Sequence, residues 1–251
     1  HGFNPWIAQQ FSRNMATLYD KAGRRFFALM GDTSHPGNGW DGRVSFWAGQ
    51  VMEMLPEQKR IAAFHALPGM GGCIAMKDGR LHAGLMNRGT IVSKALTEQA
   101  WETPVAIGTN ANGVPWQPIS LAVAEGTAVE TLLVARRDSY SSVPTTLAAY
   151  QAGSLLPNVA AACDQVISAG PGRVAATRFV DYQTMKFMRH SLGATGLSQL
   201  GEQTLSGSFS GVMHYARDTC FYNQYRISML TDSAGLLYGT PPPLFGAAQP
   251  E

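Results

Sequence analysis

The sequence predicts an all-β fold, and three observations carry this prediction. An apolar run at 105–107 enters a polar stretch, TNANGVPW at 109–116, and Ile119, Leu121 and Val123 then follow on alternate positions. Alternation over this length is typical of a strand with one buried face. Glycine is frequent, with 27 residues, while charged residues make up only 14% of the chain, a composition that suits strands joined by tight turns. The 251 residues are enough to bury a sizeable core.

The elements can be predicted in chain order. Residues 5–20 are predicted to form a short helix or a lead-in arm, because their apolar residues fall near helical spacing. A turn at 21–24 follows, and strands are then predicted at 25–30, 42–54, 127–136, 158–168, 208–215 and 225–230. The polar, Gly-punctuated segment 184–205 is predicted to be a long loop or a short helix. Residues 240–251 contain three consecutive prolines, which predict an extended tail.

Two tight hairpins are predicted from their turn residues. Asn112-Gly113 separates the two apolar runs described above, and Lys77-Asp78-Gly79 lies in the middle of the apolar segment 73–87. Such Asn-Gly and Asp-Gly pairs supply the positive φ that tight hairpin turns require. Gly113 is therefore expected to have a positive φ, at a place where a side chain would clash with the turn backbone.

One sequence frame recurs along the chain: a hydroxyl residue, three positions, glycine, two positions and an aromatic residue. It is found at 109–116, at 33–40 (TSHPGNGW) and at 231–238 (TDSAGLLY), while 168–175 (SAGPGRVA) lacks the aromatic. The frame resembles the Asp-box of sialidase-like β-propellers, with His35, Ala111, Gly170 and Ser233 at the Asp position. The segment 73–87 resembles the repeat core of RCC1-type propellers.

Both resemblances imply a β-propeller. The turn centres lie roughly 35 to 65 residues apart, which brackets the ~40–50 residues of a four-stranded blade and predicts five or six blades. We therefore expect a propeller domain over 21–239, preceded by the lead-in arm at 1–20 and followed by the tail at 240–251. The aromatic residues that end the turns, Trp40, Trp116 and Tyr238, are expected to be wedges between neighbouring sheets.

Composition narrows the classes of partner. The formal net charge of +2 comes without a Lys/Arg cluster, so no nucleic acid partner is expected. No apolar run reaches the ~18 residues of a membrane span. The three cysteines, Cys73, Cys163 and Cys220, are far apart in apolar settings, which predicts buried free thiols. The sequence begins at His1, as expected for a processed product or a segment of something larger.

Enzymatic alternatives remain open. The sialidase-like resemblance implies a glycoside hydrolase with Arg43, Arg136 and Arg226 as an arginine clamp and Tyr222 or Tyr225 as nucleophile. The block GDTSHPGNGW at 31–40 resembles the opening of SGNH esterases, with Thr33 in place of the serine. A free His1, completed by His65, His82 or His214, resembles the copper brace of polysaccharide monooxygenases. His35 and His190 are expected in solvated loops.

The leading hypothesis is recognition without catalysis, and no cofactor or metal is expected. Arginine, tyrosine, aspartate and asparagine crowd into two segments that follow apolar strands, and these residue types suit sugar or protein recognition. The predicted binding residues are Arg136, Arg137, Asp138, Tyr140, Arg217, Asp218, Tyr222 and Tyr225. The expected partner is a cell-surface glycan or receptor, bound by an extracellular or virion domain such as a tail-fibre head. A homotrimer or a larger assembly is expected, with a purely structural virion protein as a further alternative.

Overall fold

The computed structural model describes residues 17–20, 23–31, 48–86, 88–137, 145–181, 184–206, 213–216, 219–223 and 228–231. These residues form an all-β structure, and every pair of strands whose register is given is antiparallel. Two compact units are distinguished, one of residues 1–121 with 136–144 and one of residues 122–135 with 145–251. In the described part of the chain, no helix has the length and apolarity needed to cross a membrane.

The first sheet belongs to the first unit and has seven strands that neighbour one another in chain order. They are β1 (Thr17–Asp20), β2 (Arg25–Gly31), β3 (Ala48–Leu55), β4 (Arg60–Lys77), β5 (Arg80–Leu85), β6 (Thr90–Ala95) and β7 (Val105–Ala106). The strand predicted at 25–30 is confirmed, as is the hairpin within 73–87, whose turn has φ of 50° at Asp78 and 74° at Gly79. The helix predicted at 5–20 is wrong for Thr17–Asp20, because these residues pair with β2. The rest of that segment lies outside the described residues.

Strand β4 is shared by two four-stranded meanders. Its first half pairs with β3 from Arg60 to Ala66, and its second half pairs with β5 from Gly71 to Lys77. Gly71 pairs on both sides, with Ala48 and with Leu85, and the register shifts next to it in both pairings. Shifts of this kind bend and twist a strand. The seven strands therefore divide into β1 to β4 and β4 to β7.

The core of the first unit lies on one face of this sheet. The buried cluster consists of Phe27, Leu29, Val51, Ile74, Leu81, Ala83, Leu85 and Val92. On β2 the core residues Phe27 and Leu29 stand two positions apart, as the alternation of a strand requires. Opposite them, Phe27 pairs with Glu53 and Leu29 pairs with Val51, so this core face also receives the side chain of Glu53.

The stretch 109–116 forms a closed turn, but the two apolar runs around it do not form a hairpin. Thr109 and Pro115 make an antiparallel bridge, and Asn110 Oδ1 accepts the backbone N–H groups of Asn112 and Val114. Gly113 has the expected φ of 76°, a conformation that strains any side chain against its own turn backbone. Beyond its two chain neighbours, no atom of the described residues lies within 4 Å of where its Cβ would stand. The run before the turn supplies β7 to the first sheet, whereas the run after it begins a new sheet.

Three further sheets follow along the chain. The second sheet contains β8 (Gln117–Val123), β9 (Thr131–Arg137), β10 (Thr146–Gln151) and β11 (Ser154–Leu155), with β12 (Ala160–Ala161) also paired to β10. The third contains β13 (Gln165–Ser168), β14 (Arg173–Asp181), β15 (Thr184–Gly193) and β16 (Gly196–Ser206) in that order. The fourth contains β17 (Met213–Ala216), β18 (Thr219–Asn223) and β19 (Ser228–Thr231).

The third sheet corrects the sequence prediction most strongly. The segment predicted as a loop or short helix at 184–205 forms β15 and β16, because its hydroxyl and amide residues occupy the exposed positions of a long strand pair. The single strand predicted at 158–168 is two short strands, β12 and β13. His190 does not lie in a solvated loop: it stands in β15 between Val174 and Gln199 and is 1% exposed.

Candidate functional site: a buried charged cluster beneath Trp101

The core face of the first sheet contains charged side chains where the strand pattern predicts apolar ones. In β3, Glu53 stands between Met52 and Met54 and is only 4% exposed. In β6, Lys94 follows Val92 on the same face and is 3% exposed. His65 in β4 is 9% exposed. Burying charges is costly unless they are paired, so their contacts decide whether this arrangement is stable.

Glu53 is fully engaged by two neighbouring strands. Arg25 Nη1 on β2 donates to Glu53 Oε1 at 2.6 Å. His65 Nε2 on β4 lies 3.0 Å from Glu53 Oε2. The carboxylate accepts a charge-assisted hydrogen bond from Arg25, which is partly exposed, and uses its second oxygen for the imidazole. We call Arg25, Glu53, His65 and Lys94 the charged cluster.

Lys94 completes this cluster from the other side of the imidazole. Its Nζ lies 3.4 Å from His65 Nδ1 and 3.3 Å from the backbone oxygen of Gln99. An ammonium group can only donate, and a carboxylate can only accept. The two partners therefore fix the tautomer of a neutral His65, with the proton on Nε2 towards Glu53 and the lone pair on Nδ1 towards Lys94. This is an assignment from the hydrogen-bond partners.

Trp101 covers the ammonium end of the charged cluster. Lys94 Nζ lies 5.7 Å from the centroid of its ring, a cation–π distance. The indole Nε1 donates to the backbone oxygen of Ala66 at 2.6 Å. The ring packs against the core of the first unit and remains partly exposed. Beside it in the chain, Glu102 accepts a bidentate hydrogen bond from Arg80.

This arrangement holds an indole ring in one position at the surface of the first unit. Its N–H group donates to the backbone oxygen of Ala66, and the Lys94 ammonium group makes a cation–π contact with the ring. Aromatic rings held rigidly beside planar polar groups are the usual anchors of recognition surfaces. Glu53, His65 and Lys94 of the charged cluster are buried and hydrogen-bonded, so their chemical role in such a site is to position Trp101 rather than to contact a ligand.

The predicted binding residue Arg136 lies in the interior. It is the penultimate residue of β9 and 6% exposed. Its Nη1 donates to the backbone oxygen of Ile107 at 3.1 Å, and its guanidinium lies 4.9 Å from the ring centroid of Trp116. Trp116 is itself buried, as expected for a structural wedge. A loop position for Arg136 is therefore wrong, because the side chain anchors the end of β9 to the turn at 109–116.

The other predicted binding residues are described only in part. Arg137 ends β9 and is exposed. Tyr222 lies within β18, in register with Met213 and Met229. Asp138, Tyr140, Arg217, Asp218 and Tyr225 lie outside the described residues, as do Arg43 and Arg226 of the predicted clamp, and Thr33, Trp40, Tyr238, His1 and His35.

Two of the histidines considered as copper ligands have other partners. His65 belongs to the charged cluster, and His82 Nδ1 lies 2.8 Å from Ser93 Oγ. Burial, helped by the nearby charge of Arg80, lowers the pKa of His82 to about 4. Among the described residues there is no group of three or more His, Cys, Asp or Glu able to hold a metal ion.

Cys73 and Cys163 are buried free thiols, as predicted, and burial raises the pKa of Cys73 to about 12.

The sequence analysis missed Arg25, Glu53, Lys94 and Trp101. A usable pattern existed, because each buried charge interrupts an apolar strand: Met52-Glu53-Met54 in β3 and Ile91-Val92-Ser93-Lys94 in β6. A single charge at a core position of a strand indicates a buried partner of opposite charge or a polar site. The partners themselves come from strands that are distant in sequence, so the pattern alone does not identify them.

Comparisons with known proteins inform the fold. No protein-family model and no curated protein matches this sequence. Among solved structures, the chain is similar to the hydrazine synthase of Kuenenia stuttgartiensis, with a TM-score of 0.61, 9% identity and 92% of this chain covered. The chain spans 66% of the length of that protein.

Two further structures show the same likeness. One is regucalcin, a calcium-binding protein from Agrobacterium tumefaciens, with a TM-score of 0.55, 12% identity, and 89% of this chain and 72% of that chain covered. The other is KlAtg21 in complex with the coiled coil of AgAtg16, with a TM-score of 0.51, 6% identity, and 73% and 59% covered. At these identities the likeness concerns the fold alone. The fold is all-β and propeller-like, which confirms that part of the prediction.

Proposed function

We propose that the chain is a recognition domain that binds a glycan on a cell surface, as an extracellular or virion protein. One observation carries the proposal: the indole ring of Trp101 is partly exposed and held in place. Its N–H group donates to the backbone oxygen of Ala66, and its ring makes a cation–π contact with Lys94. A ring held in this way loses little conformational entropy on binding. The flanking Arg80–Glu102 pair supplies planar hydrogen-bonding groups beside it.

The blade number belongs to the same proposal. The strands of the described residues group into five consecutive meanders: β1 to β4, β4 to β7, β8 to β11, β13 to β16 and β17 to β19. Each meander is the size of one blade or most of one, and blades that stack face on face leave only short edges. This grouping supports five blades over six. An experimental density map of the whole chain would count them directly.

The proposed function is tested first with a glycan array on the wild-type protein and then by isothermal titration with the glycan that the array identifies. Trp101→Ala should weaken binding by roughly 1–3 kcal/mol, the usual range for an aromatic anchor. Trp101→Phe should retain most of the affinity, since it keeps a ring over Lys94. Thermal melts of each variant establish that the protein measured is folded.

Leu200→Ala is the matched control, because Leu200 is an exposed apolar side chain of the second unit, 61% exposed. It should bind the glycan like the wild type. The proposal fails if the wild type binds no glycan on the array, or if Trp101→Ala binds as tightly as the wild type. Release of reducing sugar from the bound glycan would instead favour a glycoside hydrolase.

A further inference from the structure

The turn at 109–116 contains a chemically reactive pair of neighbours, Asn112 and Gly113, and both are exposed. In an Asn-Gly pair the backbone nitrogen of the glycine can attack the side-chain amide of the asparagine, because glycine has no Cβ to hinder the approach. Asparagine is one of the thermolabile residues for this reason. The same dipeptide at Asn38-Gly39 lies outside the described residues. The pair at 112–113 is therefore the one whose surroundings the structure describes.

The space around Gly113 is open enough for this reaction. Beyond its two chain neighbours, no atom of the described residues lies within 4 Å of where its Cβ would stand. The reaction joins the backbone nitrogen of Gly113 to Cγ of Asn112 in a five-membered ring. Both atoms belong to one dipeptide, and ring closure of this kind is favoured because the reacting atoms are already held close together. Nothing described on this side of the turn blocks the ring.

One buried residue, Asn110, restrains the turn through both its backbone and its side chain. Its backbone oxygen accepts the N–H group of Gly113 at 3.0 Å, and its own N–H group donates to the backbone oxygen of Val114 at 2.8 Å. Its Oδ1 accepts the N–H groups of Asn112 at 2.8 Å and Val114 at 3.0 Å. The attacking nitrogen is thus engaged in a hydrogen bond that must open before it can lose its proton.

We propose that Asn112 is a site of spontaneous deamidation in the folded protein and that Asn110 sets its rate. The nitrogen of Gly113 gives its proton to hydroxide and attacks Asn112 Cγ. The N–Cγ bond forms and the Cγ–Nδ2 bond breaks, while Nδ2 takes a proton from water and leaves as ammonia. Water then opens the succinimide at either carbonyl and leaves an aspartate or an isoaspartate at position 112. Water is the only co-reactant, and no redox step is involved.

The isoaspartate product changes the turn itself. It inserts a methylene group into the main chain before Gly113, so the N–H groups of Gly113 and Val114 no longer match the two oxygens of Asn110. It also adds a negative charge. The turn closed by the Thr109–Pro115 bridge should therefore loosen between β7 and β8. The reaction requires no glycan and no residue around Trp101, so the inference does not depend on the proposed function.

The test compares native protein with protein unfolded in urea, both incubated at pH 8. Mass spectrometry of the tryptic peptide 95–136 follows the conversion of the amide to the acid. The native wild type should convert at Asn112 at least tenfold more slowly than the unfolded chain, and its rate should rise with pH. The isoaspartate form, separated by ion exchange, should unfold at a lower urea concentration than the unreacted protein.

Three variants test the assignment to these residues. Asn110→Ala removes the side-chain oxygen and should convert at least fivefold faster than the wild type when native, but at the same rate when unfolded. Asn110→Asp keeps an oxygen at that place and should convert at the wild-type rate. Asn112→Gln is the matched control and should show no conversion at position 112, because its longer side chain cannot close the five-membered ring.

Several outcomes would overturn the proposal. No conversion at Asn112 in the native wild type, while the unfolded chain reacts, would mean that the folded protein is not modified there. Equal rates in the native and unfolded wild type would mean that the turn gives no protection. A wild-type rate in native Asn110→Ala, shown to be folded by circular dichroism, would remove the role of Asn110. If that variant does not fold, faster conversion of native Asn110→Asp than of the wild type removes the role instead.

Discussion

Glu53 and His65 meet at 3.0 Å on the buried side of the β3–β4 pair, whereas the residues before them, Met52 and Phe64, are partners on the partly exposed side. A shift of one residue in either strand would exchange the two sets of side chains. The register is nevertheless held with the charges inside. Two contacts make this possible: Arg25 forms an ion pair with Glu53, and Lys94 donates to the His65 ring within the same sheet.

Removing Glu53 should strongly destabilise the protein. Glu53→Ala leaves His65 and Lys94 buried without a carboxylate and takes away the partner of Arg25. Breaking a buried pair from one side typically costs ~3–5 kcal/mol. Urea unfolding at pH 7, followed by far-ultraviolet circular dichroism, should show a loss of that order in the free energy of unfolding.

The exposed pair Arg24–Glu57 provides the control, since both side chains are more than 60% exposed, at 68% and 63%. Glu57→Ala should leave the unfolding midpoint within error of the wild type, because solvent screens such pairs. If Glu53→Ala and Glu57→Ala behaved alike, the cluster would not be buried as described.

Replacing His190 should have the opposite effect on stability. Both ring nitrogens of His190 are buried and make no hydrogen bond to any of the described residues, and burial lowers its pKa. A buried polar group without a partner costs ~1–3 kcal/mol, and an apolar side chain of similar volume avoids that cost. His190→Leu should therefore raise the free energy of unfolding by about 1 kcal/mol in urea titrations.

The comparison variant is His65→Leu, which removes a histidine that is hydrogen-bonded on both nitrogens. It should destabilise the protein, because Glu53 and Lys94 lose their shared partner. Destabilisation by His190→Leu would show that His190 has a partner, such as a buried water.

Local pattern predicted the elements that local interactions determine. The turn at Asp78-Gly79 and the positive φ of Gly113 follow from the conformational freedom of the residues themselves. The sequence predicts a loop or a short helix where β15 and β16 form, because their exposed side chains are polar and show no clear alternation. Pairing with β14 stabilises β15 as a strand, and that partner cannot be identified from the local sequence.

The local sequence is equally insufficient to identify the residues of the candidate site. Arg136 and Arg137 are identical residue types at adjacent positions, yet one is buried against Trp116 and the other is exposed. The sequence placed both in a binding loop because arginine is common in recognition surfaces. Whether an arginine binds a ligand or anchors a strand depends on Ile107, 29 positions away. Likewise, Glu53 and Lys94 meet through His65 only after three strands have paired.

The protein should become less stable as the pH is lowered from 6.5 to 4. The pKa of His82 is lowered from 6.5 to about 4 by burial, so in this range the unfolded chain binds a proton that the folded protein does not. The contribution is fully present above pH 6.5 and is lost progressively as the pH falls towards 4. The difference between the pKa of His82 in the unfolded and folded protein corresponds to about 3 kcal/mol in the free energy of unfolding. Urea unfolding at pH 7.0, 5.5 and 4.5 measures the slope.

His82→Gln tests the assignment of that slope. The variant loses the contact with Ser93 and should be less stable at pH 7, but its stability should depend less on pH than that of the wild type. His190 contributes a change of the same sign, because its pKa is also lowered by burial, so some dependence remains. An unchanged slope in His82→Gln would contradict the role assigned to His82.

Two glycines with positive φ should differ in their tolerance of alanine. Gly113 has φ of 76° and open space where its Cβ would stand, whereas Gly126 has φ of 69° and would place its Cβ 2.5 Å from Pro171 Cβ. Gly113→Ala should lower the free energy of unfolding by the backbone strain alone, about 1–2 kcal/mol. Gly126→Ala adds a steric clash and should lose at least twice as much. Urea midpoints of the two variants decide; equal losses would mean that the Gly126–Pro171 contact is not made.

The adjacent arginines at the end of β9 should give opposite results when each is changed to alanine. Arg136→Ala removes the hydrogen bond to Ile107 and the guanidinium over Trp116, so it should destabilise the fold by ~2 kcal/mol or more. Arg137→Ala removes an exposed side chain and should change the free energy of unfolding by less than ~0.5 kcal/mol. If the exposed arginine contributes to glycan recognition, Arg137→Ala should weaken binding by roughly 1–3 kcal/mol. Thermal melts combined with titration of the array-selected glycan separate the two roles. Full stability of Arg136→Ala would contradict the anchor, and wild-type affinity of Arg137→Ala would exclude that residue from the binding surface.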